Sequence, residues 1–425
     1  MRHLLLLLAP LLLAAAPRST AAPADEASLD ARVARVLQRT PLIDGHNDWA
    51  EALVGTAADE RWTLPLETLA APYHTDITRL KAGKLGGQFW SVWVPPELPG
   101  PEQVERTVEQ IMLVRDLARR YPQVFELATT AADVRRIHRA GRIASMIGVE
   151  GGGQIDERFA VLRAYRALGA SYLTLTHTRT IAWADSATDA PKHDGLTRFG
   201  EAVVSELNRL GMLVDLSHVS EATMTDALRV TRAPVIFSHS GARAINDHPR
   251  NVSDAVLRQV AANGGVVMVD YAPSYVSDAR RRWEADRNAE RARYNAPPYG
   301  GLFIGQPERA AAALAQWEAA HPRPPVTLAQ VADHIEHIAK VAGPAHVGIG
   351  SDFDGVGDLP EGLGGVETYP ALLKEMARRG WSDRDLAGLA GENVLRAMAA
   401  AEKVAAGMKD VPPAAATRAT LDRSS

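Results

Sequence analysis

Residues 41–48, Pro-Leu-Ile-Asp-Gly-His-Asn-Asp, end an apolar run in an imidazole and a carboxylate two positions apart, His46 and Asp48. In an extended segment residues i and i+2 project to one face, so this pair is placed to hold one metal ion between them. Neutral imidazole with carboxylate is a donor set that suits zinc and its first-row neighbours. Alone, the octapeptide reads equally well as a strand end with a turn, its Asp solvated and its His incidental, because short motifs match by chance.

Residues of the same chemical type recur downstream. Glu150 stands in Val149-Glu150-Gly151-Gly152-Gly153, where the glycines suggest a backbone crowded against something bound. His177 follows a Thr-rich run, and His218 and His239 each follow a serine after an apolar run. Asp352 and Asp354 lie in Ser351-Asp352-Phe353-Asp354-Gly355. Each has a plainer reading: a turn carboxylate, a solvated strand end, a satisfied interior histidine, an Asx-turn. Counted together they suggest two ions, one held by His46 and Asp48, the other by His218 and His239, with Glu150 bridging. Paired ions share a bound water and lower its pKa to give a hydroxide nucleophile near neutral pH. Asp352 would then move the proton from that water to a leaving amine, and His177 would stabilise the developing oxyanion. The expected chemistry is hydrolysis at a carbonyl without a covalent protein intermediate.

The elements that must position these groups alternate. Brief β-rich runs cover 42–45, 88–94, 144–149, 172–176, 212–217, 235–238, 265–269 and 347–351, with amphipathic helical patterns between them, such as 104–120, 158–168, 197–210, 221–229, 253–262 and 328–342. Strands that read as continuous apolar runs alternating with helices imply a parallel sheet covered on both faces. Eight such units predict a closed (β/α)₈ TIM barrel of the α/β class, whose active site lies at the C-terminal ends of the strands. His46 and Asp48, Glu150, His177, His218, His239 and Asp352 all fall at that end of their runs. An open doubly wound sheet is the runner-up, but no Gly-rich dinucleotide loop follows the first run. A charged insertion at 274–325, between the seventh and eighth strands, is expected to hold a helix or two, as a lid, an oligomer contact or a solvated excursion. A short helix over 28–38 leads into the first strand. The segment 381–403 closes the fold and the Ala-, Pro-, Thr- and Ser-rich tail 404–425 is expected to fray.

Composition narrows the class. The chain has 425 residues, a formal net charge of −4, 46% hydrophobic residues and no cysteine. The near balance of charge argues against nucleic acid and a polybasic membrane patch. Arg2-His3 followed by the apolar run 4–16 resembles a secretory signal, with Ala22-Pro23-Ala24 as cleavage site, so 1–24 is expected to be a leader and 25–403 the catalytic domain. The run is short for a membrane span. Without cysteine there is neither a disulfide nor a thiolate ligand, so the protein is expected to be exported to periplasm or medium as a soluble protein with a metal site of His, Asp and Glu.

In order along the chain, LIDGHND, IGVEGG, YLTLTH, DLSHVS, FSHSGAR, RNV and GIGSDFDG resemble the membrane (renal) dipeptidase family of zinc-dependent metallopeptidases. The likeness spans most of the mature chain. It implies a (β/α)₈ fold and two Zn²⁺ per chain: His46 and Asp48 on one, His218 and His239 on the other, Glu150 between. It further implies that His177 contacts the substrate carbonyl region, that Asp352 transfers protons, and that Arg250 in His248-Pro249-Arg250-Asn251 pairs with the substrate's terminal carboxylate, a match for a guanidinium. Tyr275 would assist there. The implied substrates are dipeptides, with a D-residue tolerated at the C-terminal position. Animal members are glycolipid-anchored, disulfide-linked dimers. This sequence lacks both cysteine and an apolar C-terminal tail, so only a non-covalent homodimer is left open. Two other readings compete: a binuclear amidohydrolase for lactones, cyclic amides or phosphotriesters, and an exported solute-binding protein with a metal but no turnover. The first usually bridges its metals with a modified lysine at the fourth strand. The second would close its metal with four protein ligands and would have no use for Asp352 and His177.

Overall fold

The computed structural model describes residues 25–54, 64–69, 71–295 and 300–423; the leader expected at 1–24 lies outside them. Nine strands appear in chain order: β1 Leu42–Asn47, β2 Leu85–Trp93, β3 Phe125–Leu127, β4 Ile143–Glu150, β5 Ala170–Thr174, β6 Leu213–Asp215, β7 Ile236–Phe237, β8 Val266–Val269 and β9 Val347–Ile349. All neighbours pair in parallel, and β2 pairs with both β1 and β4, so eight strands close into a ring. The expected (β/α)₈ barrel is therefore the fold. β3 is the strand the sequence pattern missed. It sits outside the ring, on the first three residues of β4, and leaves the rest of that edge to β5.

The helices follow from caps and stripes. Thr197, Ser220 and Ser253 each accept a backbone N–H at the start of Arg198–Leu210, Glu221–Val230 and Asp254–Asn263, and the first and last of these helices end on left-handed glycines, Gly211 and Gly264. Their apolar faces pack on the strands: Val203, Val204 and Leu207 in one, Val256, Leu257 and Val260 in another, all buried. A separate cluster containing Ile43, Phe89, Met146, Tyr172, Leu213, Ile236, Val266 and Met268 fills the ring, closed by Val394, Leu395 and Met398 from the helix Asn393–Ala406. Gly148 makes room within it, since a Cβ there would overlap the phenol ring of Tyr172. Gly148→Ala is expected to cost about 1–3 kcal/mol of stability, the usual range for overpacking a core. Equilibrium unfolding checks it, and an unchanged midpoint would show that the ring yields freely.

The expected helical insertion is present. The insertion forms the helices Asp278–Asn295 and Pro307–Ala320, which meet through Trp283 with Trp317 and Arg287 with Glu318, while Tyr294 packs on Phe303 in the segment before the second helix. Its base is tied to the loop after β9 by ion pairs from Arg280 and Arg323 to Asp358. The tail beyond Val404 makes contacts with the body of the fold in the described residues. Ala414 bonds through its N–H to Glu206 and through its carbonyl to Arg163, Arg418 pairs with Glu157, and Asp422 accepts the Phe199 N–H at 2.8 Å. Composition cannot reveal such docking, because the partners are single polar groups some two hundred residues away. Among the described residues no helix is long and apolar enough to cross a membrane.

Candidate metal centre and active site

β1 delivers the first two candidates. Its ladder with β2 shifts register between Asp44 and Asn47, and Asp48 lies past the strand, its N–H bonded to Phe353 O at 2.9 Å. His46 Nε2 and Asp48 Oδ2 approach to 3.3 Å. Glu150, the last residue of β4, is the hub. Its Oε1 faces His218 Nε2 at 3.0 Å and His239 Nε2 at 3.3 Å, while its Oε2 faces His46 Nε2 at 3.4 Å. His177 Nε2 stands 4.0 Å from Oε1. Asp352 joins His46 and Asp48 in a group whose ligand atoms all lie within 4.8 Å of one another. Every metal candidate in the sequence converges at one rim of the barrel.

Local backbone strain marks the same place. His218 and Asp352 have φ of +68° and +61°, and Gly151, directly after Glu150, has +131°. Non-glycine residues adopt that region rarely and at a cost, and such outliers concentrate at working sites.

Behind these side chains lies a layer of polar support. His46 Nδ1 meets Tyr172 OH at 3.1 Å and His239 Nδ1 meets Ser238 Oγ at 2.9 Å, which leaves each Nε2 directed at Glu150. Ser238 Oγ and Thr174 Oγ1 both donate at 2.6 Å to Asp215 Oδ2, while Asp215 Oδ1 accepts the N–H groups of Ser217 and Ser238. Asp44 does the equivalent work for β1, accepting from Ser351 N–H and Oγ at 2.7 Å and from Tyr369 OH at 2.6 Å. Ser91 Oγ donates to Glu150 Oε2 at 3.1 Å. Such partners fix ring orientation and ligand basicity. Sequence reasoning passed over Asp44 and Asp215. A usable signal existed: each is a carboxylate inside an apolar run, two or three residues before a candidate histidine.

Electrostatics follow from burial and convergence. Burial favours neutral Glu150, but the His46 charge and hydrogen bonds from His218 and His239 outweigh it and hold the carboxyl well below its ordinary range. Burial likewise opposes charge on His46, yet Glu150 and Asp48 raise it well above the usual histidine value. His218 and His239 are driven well below that value, by burial first and then by Arg250 with His177 or His46. Burial, then Asp270 and Asp48, lifts Asp352 well above the carboxylate range. His177 is lowered by burial and Arg250 against the pull of Glu150.

The donor set fits divalent metal. Three imidazole nitrogens and three carboxylates meet in a buried pocket, with His218 Nε2 and His239 Nε2 only 2.9 Å apart and both aimed at one carboxylate oxygen. Imidazole and carboxylate without thiolate suit zinc and its neighbours. Above the donors opens a cavity of about 360 Å³, reached by Asp48, Glu150, His177, His218, His239, Arg250, Tyr275 and Asp352 among others. That volume is at the small end of the roughly 300–1,000 Å³ usual for small-molecule sites. Arg250 is 1% exposed, donates to His239 O at 3.1 Å and Ser240 Oγ at 3.3 Å, and stacks over the Tyr275 ring at 5.3 Å. Its nearest carboxylate, Asp270, is 4.0 Å away, and Arg250 Nε and Asp270 Oδ2 have no hydrogen-bond partner. The guanidinium is held in place with its charge only partly matched.

The chain resembles known proteins. A family model described as membrane dipeptidase, peptidase family M19, matches residues 30–411. Among solved structures, the "probable dipeptidase PvdM" of Pseudomonas aeruginosa is 25% identical over 88% of this chain and 99% of its own, with a TM-score of 0.75. A family M19 metallopeptidase called dipeptidase AC is 25% identical over 85% of this chain and 99% of its own, with a TM-score of 0.69. A metallopeptidase of Rhodobacter sphaeroides, solved with a phosphinate mimic of L-Ala-D-Ala, shares the fold at 23% identity and a TM-score of 0.69, covering 85% of this chain and 99% of its own. With a match that extends from the helix before β1 to residue 411, this chain belongs to the membrane dipeptidase family.

Proposed function

We propose that this chain is an exported dipeptidase that uses a pair of divalent ions, zinc by preference, to hydrolyse a dipeptide to free amino acids. The observation that carries the reading is Glu150, one carboxylate facing the Nε2 atoms of His46, His218 and His239 at 3.4, 3.0 and 3.3 Å. His46 and Asp48 would hold one ion and His218 and His239 the other, with Glu150 shared. Bound there, the metal supplies Lewis acidity, polarising the scissile carbonyl and lowering the pKa of water.

The chain's own groups do the rest. Arg250 takes the substrate's free carboxylate, which orients the dipeptide with its peptide bond toward Glu150 and excludes longer chains from that end. Assigning the Thr178 hydroxyl, 3.3 Å from His177 Nδ1, as donor leaves the proton on Nε2, the nitrogen that faces Glu150. A neutral His177 can then donate to the carbonyl oxygen as negative charge develops. Asp352, kept basic by burial and by Asp270 and Asp48, accepts the proton of the attacking water and returns it to the leaving amine. No lysine lines the described cavity, which removes the bridging group expected of the lactone and phosphotriester readings.

The test is turnover of L,L and L,D dipeptides before and after chelation, with zinc restored. Activity lost on chelation and regained with zinc is expected; binding of dipeptides without hydrolysis would instead support the solute-binding reading. Arg250→Lys, which keeps charge but loses the fork, is expected to raise KM by about 10-fold or more with kcat little changed, the pattern of lost uniform binding. The wild type should also prefer a free dipeptide over its C-terminal amide. Equal KM values for acid and amide would remove Arg250 from this role.

A further inference from the structure

We infer that Glu51 makes this enzyme selective for dipeptides whose N-terminal residue carries a cationic side chain, lysine or arginine; the inference rests on the dipeptidase reading of the same cavity. Glu51 lies on the short helix Trp49–Val54 that follows Asp48, and it lines the active-site cavity. It is half-buried and has no hydrogen-bond or ion-pair partner among the described residues. It also belongs to none of the groups whose ligand atoms lie within 4.8 Å of one another, so the candidate metal centre does not use it. A carboxylate that is partly desolvated and left without a cation costs free energy unless a ligand supplies the cation. Burial, together with Asp48 and Glu150, raises the pKa of Glu51.

The cavity is polarised in the sense this requires. Arg250 enters from the loop after β7 and Glu51 from the connection between β1 and β2, elements on well-separated parts of the ring. A dipeptide whose carboxylate sits on Arg250 therefore directs its N-terminal residue away from that end. Asp354, the other extra carboxylate of the cavity, is tied to His74: its Oδ1 accepts the His74 N–H at 2.6 Å and its own N–H donates to His74 Nδ1 at 2.9 Å, while its buried Oδ2 has no hydrogen-bond partner. Glu51 remains free. Trp93 lines the same cavity and offers apolar surface for the methylene stem of a long basic side chain. The α-ammonium is a poorer match, because it lies only two bonds from the scissile carbonyl, beside the metal donors, whereas a lysine or arginine side chain reaches outward past them.

The experiment compares kcat/KM of the zinc-loaded enzyme for Lys-Ala, Arg-Ala, Leu-Ala and Glu-Ala, each with L- and D-alanine, in the wild type, Glu51→Gln and Glu51→Lys. The wild type is expected to favour the basic substrates over Leu-Ala by about 10-fold or more, the scale of one charge-assisted hydrogen bond. Glu51→Gln should collapse that ratio toward one, and Glu51→Lys should move the preference to Glu-Ala. A ratio near one in the wild type, or one unchanged in both variants, overturns the inference and leaves the dipeptidase reading standing. If the variants lose all dipeptides alike relative to N-acetylated ones, Glu51 serves the α-ammonium and the inference is wrong. A wild type that cleaves no dipeptide overturns both.

Discussion

Glu150→Gln is expected to empty both metal positions and to lower kcat/KM by at least roughly 10³-fold, well beyond the 10–100-fold typical of losing a supporting partner. Glutamine matches glutamate in size, so the change is one of charge and donor character. The carboxylate is the shared neighbour of His46, His218 and His239 and accepts from Ser91. An amide there removes the negative charge that two dications would share, and presents either one neutral oxygen or an NH₂ group to imidazole nitrogens that must stay free to bind metal. Losing one ligand from one ion would lower affinity at one position; losing the shared one weakens both. Metal analysis after gel filtration should therefore give a stoichiometry near zero, while the metal-free variant unfolds close to metal-free wild type. Unchanged metal content together with unchanged rate would refute the shared-ligand assignment.

How much of this was legible in the sequence depended on whether a residue's role was local. The ring of eight parallel strands could be read because each strand is a short apolar run, buried on both faces and followed by a helix pattern. The metal candidates could be read because a parallel barrel puts the ends of all its strands on one rim, so type and position along each run sufficed. β3 could not, since Phe125–Leu127 has only three residues and one partner edge. The register shift in β1 between Asp44 and Asn47 was also invisible in the spacing. Asp44 and Asp215 were hidden for a different reason. A carboxylate in an apolar run looks like an interruption until Ser351, Tyr369, Ser238 and Thr174 arrive from distant elements to satisfy it. Arg250 is the extreme case, a surface arginine by composition and a 1% exposed one in the fold.

Asp352→Asn is expected to keep both metals and to lower kcat by about 10²–10⁴-fold with little change in KM, the usual scale for removing a positioned acid–base group. Asparagine is the informative replacement because Asp352 has φ +61°, a conformation asparagine tolerates better than most residues, so backbone strain is not confounded with chemistry. The side chain closes β9's end of the site beside His46 and Asp48, and burial together with Asp270 and Asp48 raises its proton affinity well above that of an ordinary carboxylate. A group so placed can take a proton from water and hand it to an amine, whereas an amide can do neither. The same closeness to His46 and Asp48 defines the opposing possibility, that Asp352 is itself a ligand. Metal content separates the two: full occupancy with a rate near the expected loss assigns proton transfer, and parallel loss of metal and rate assigns coordination. Substrates with better leaving amines give a further check, since a lost proton donor should matter less as the amine needs less help to depart.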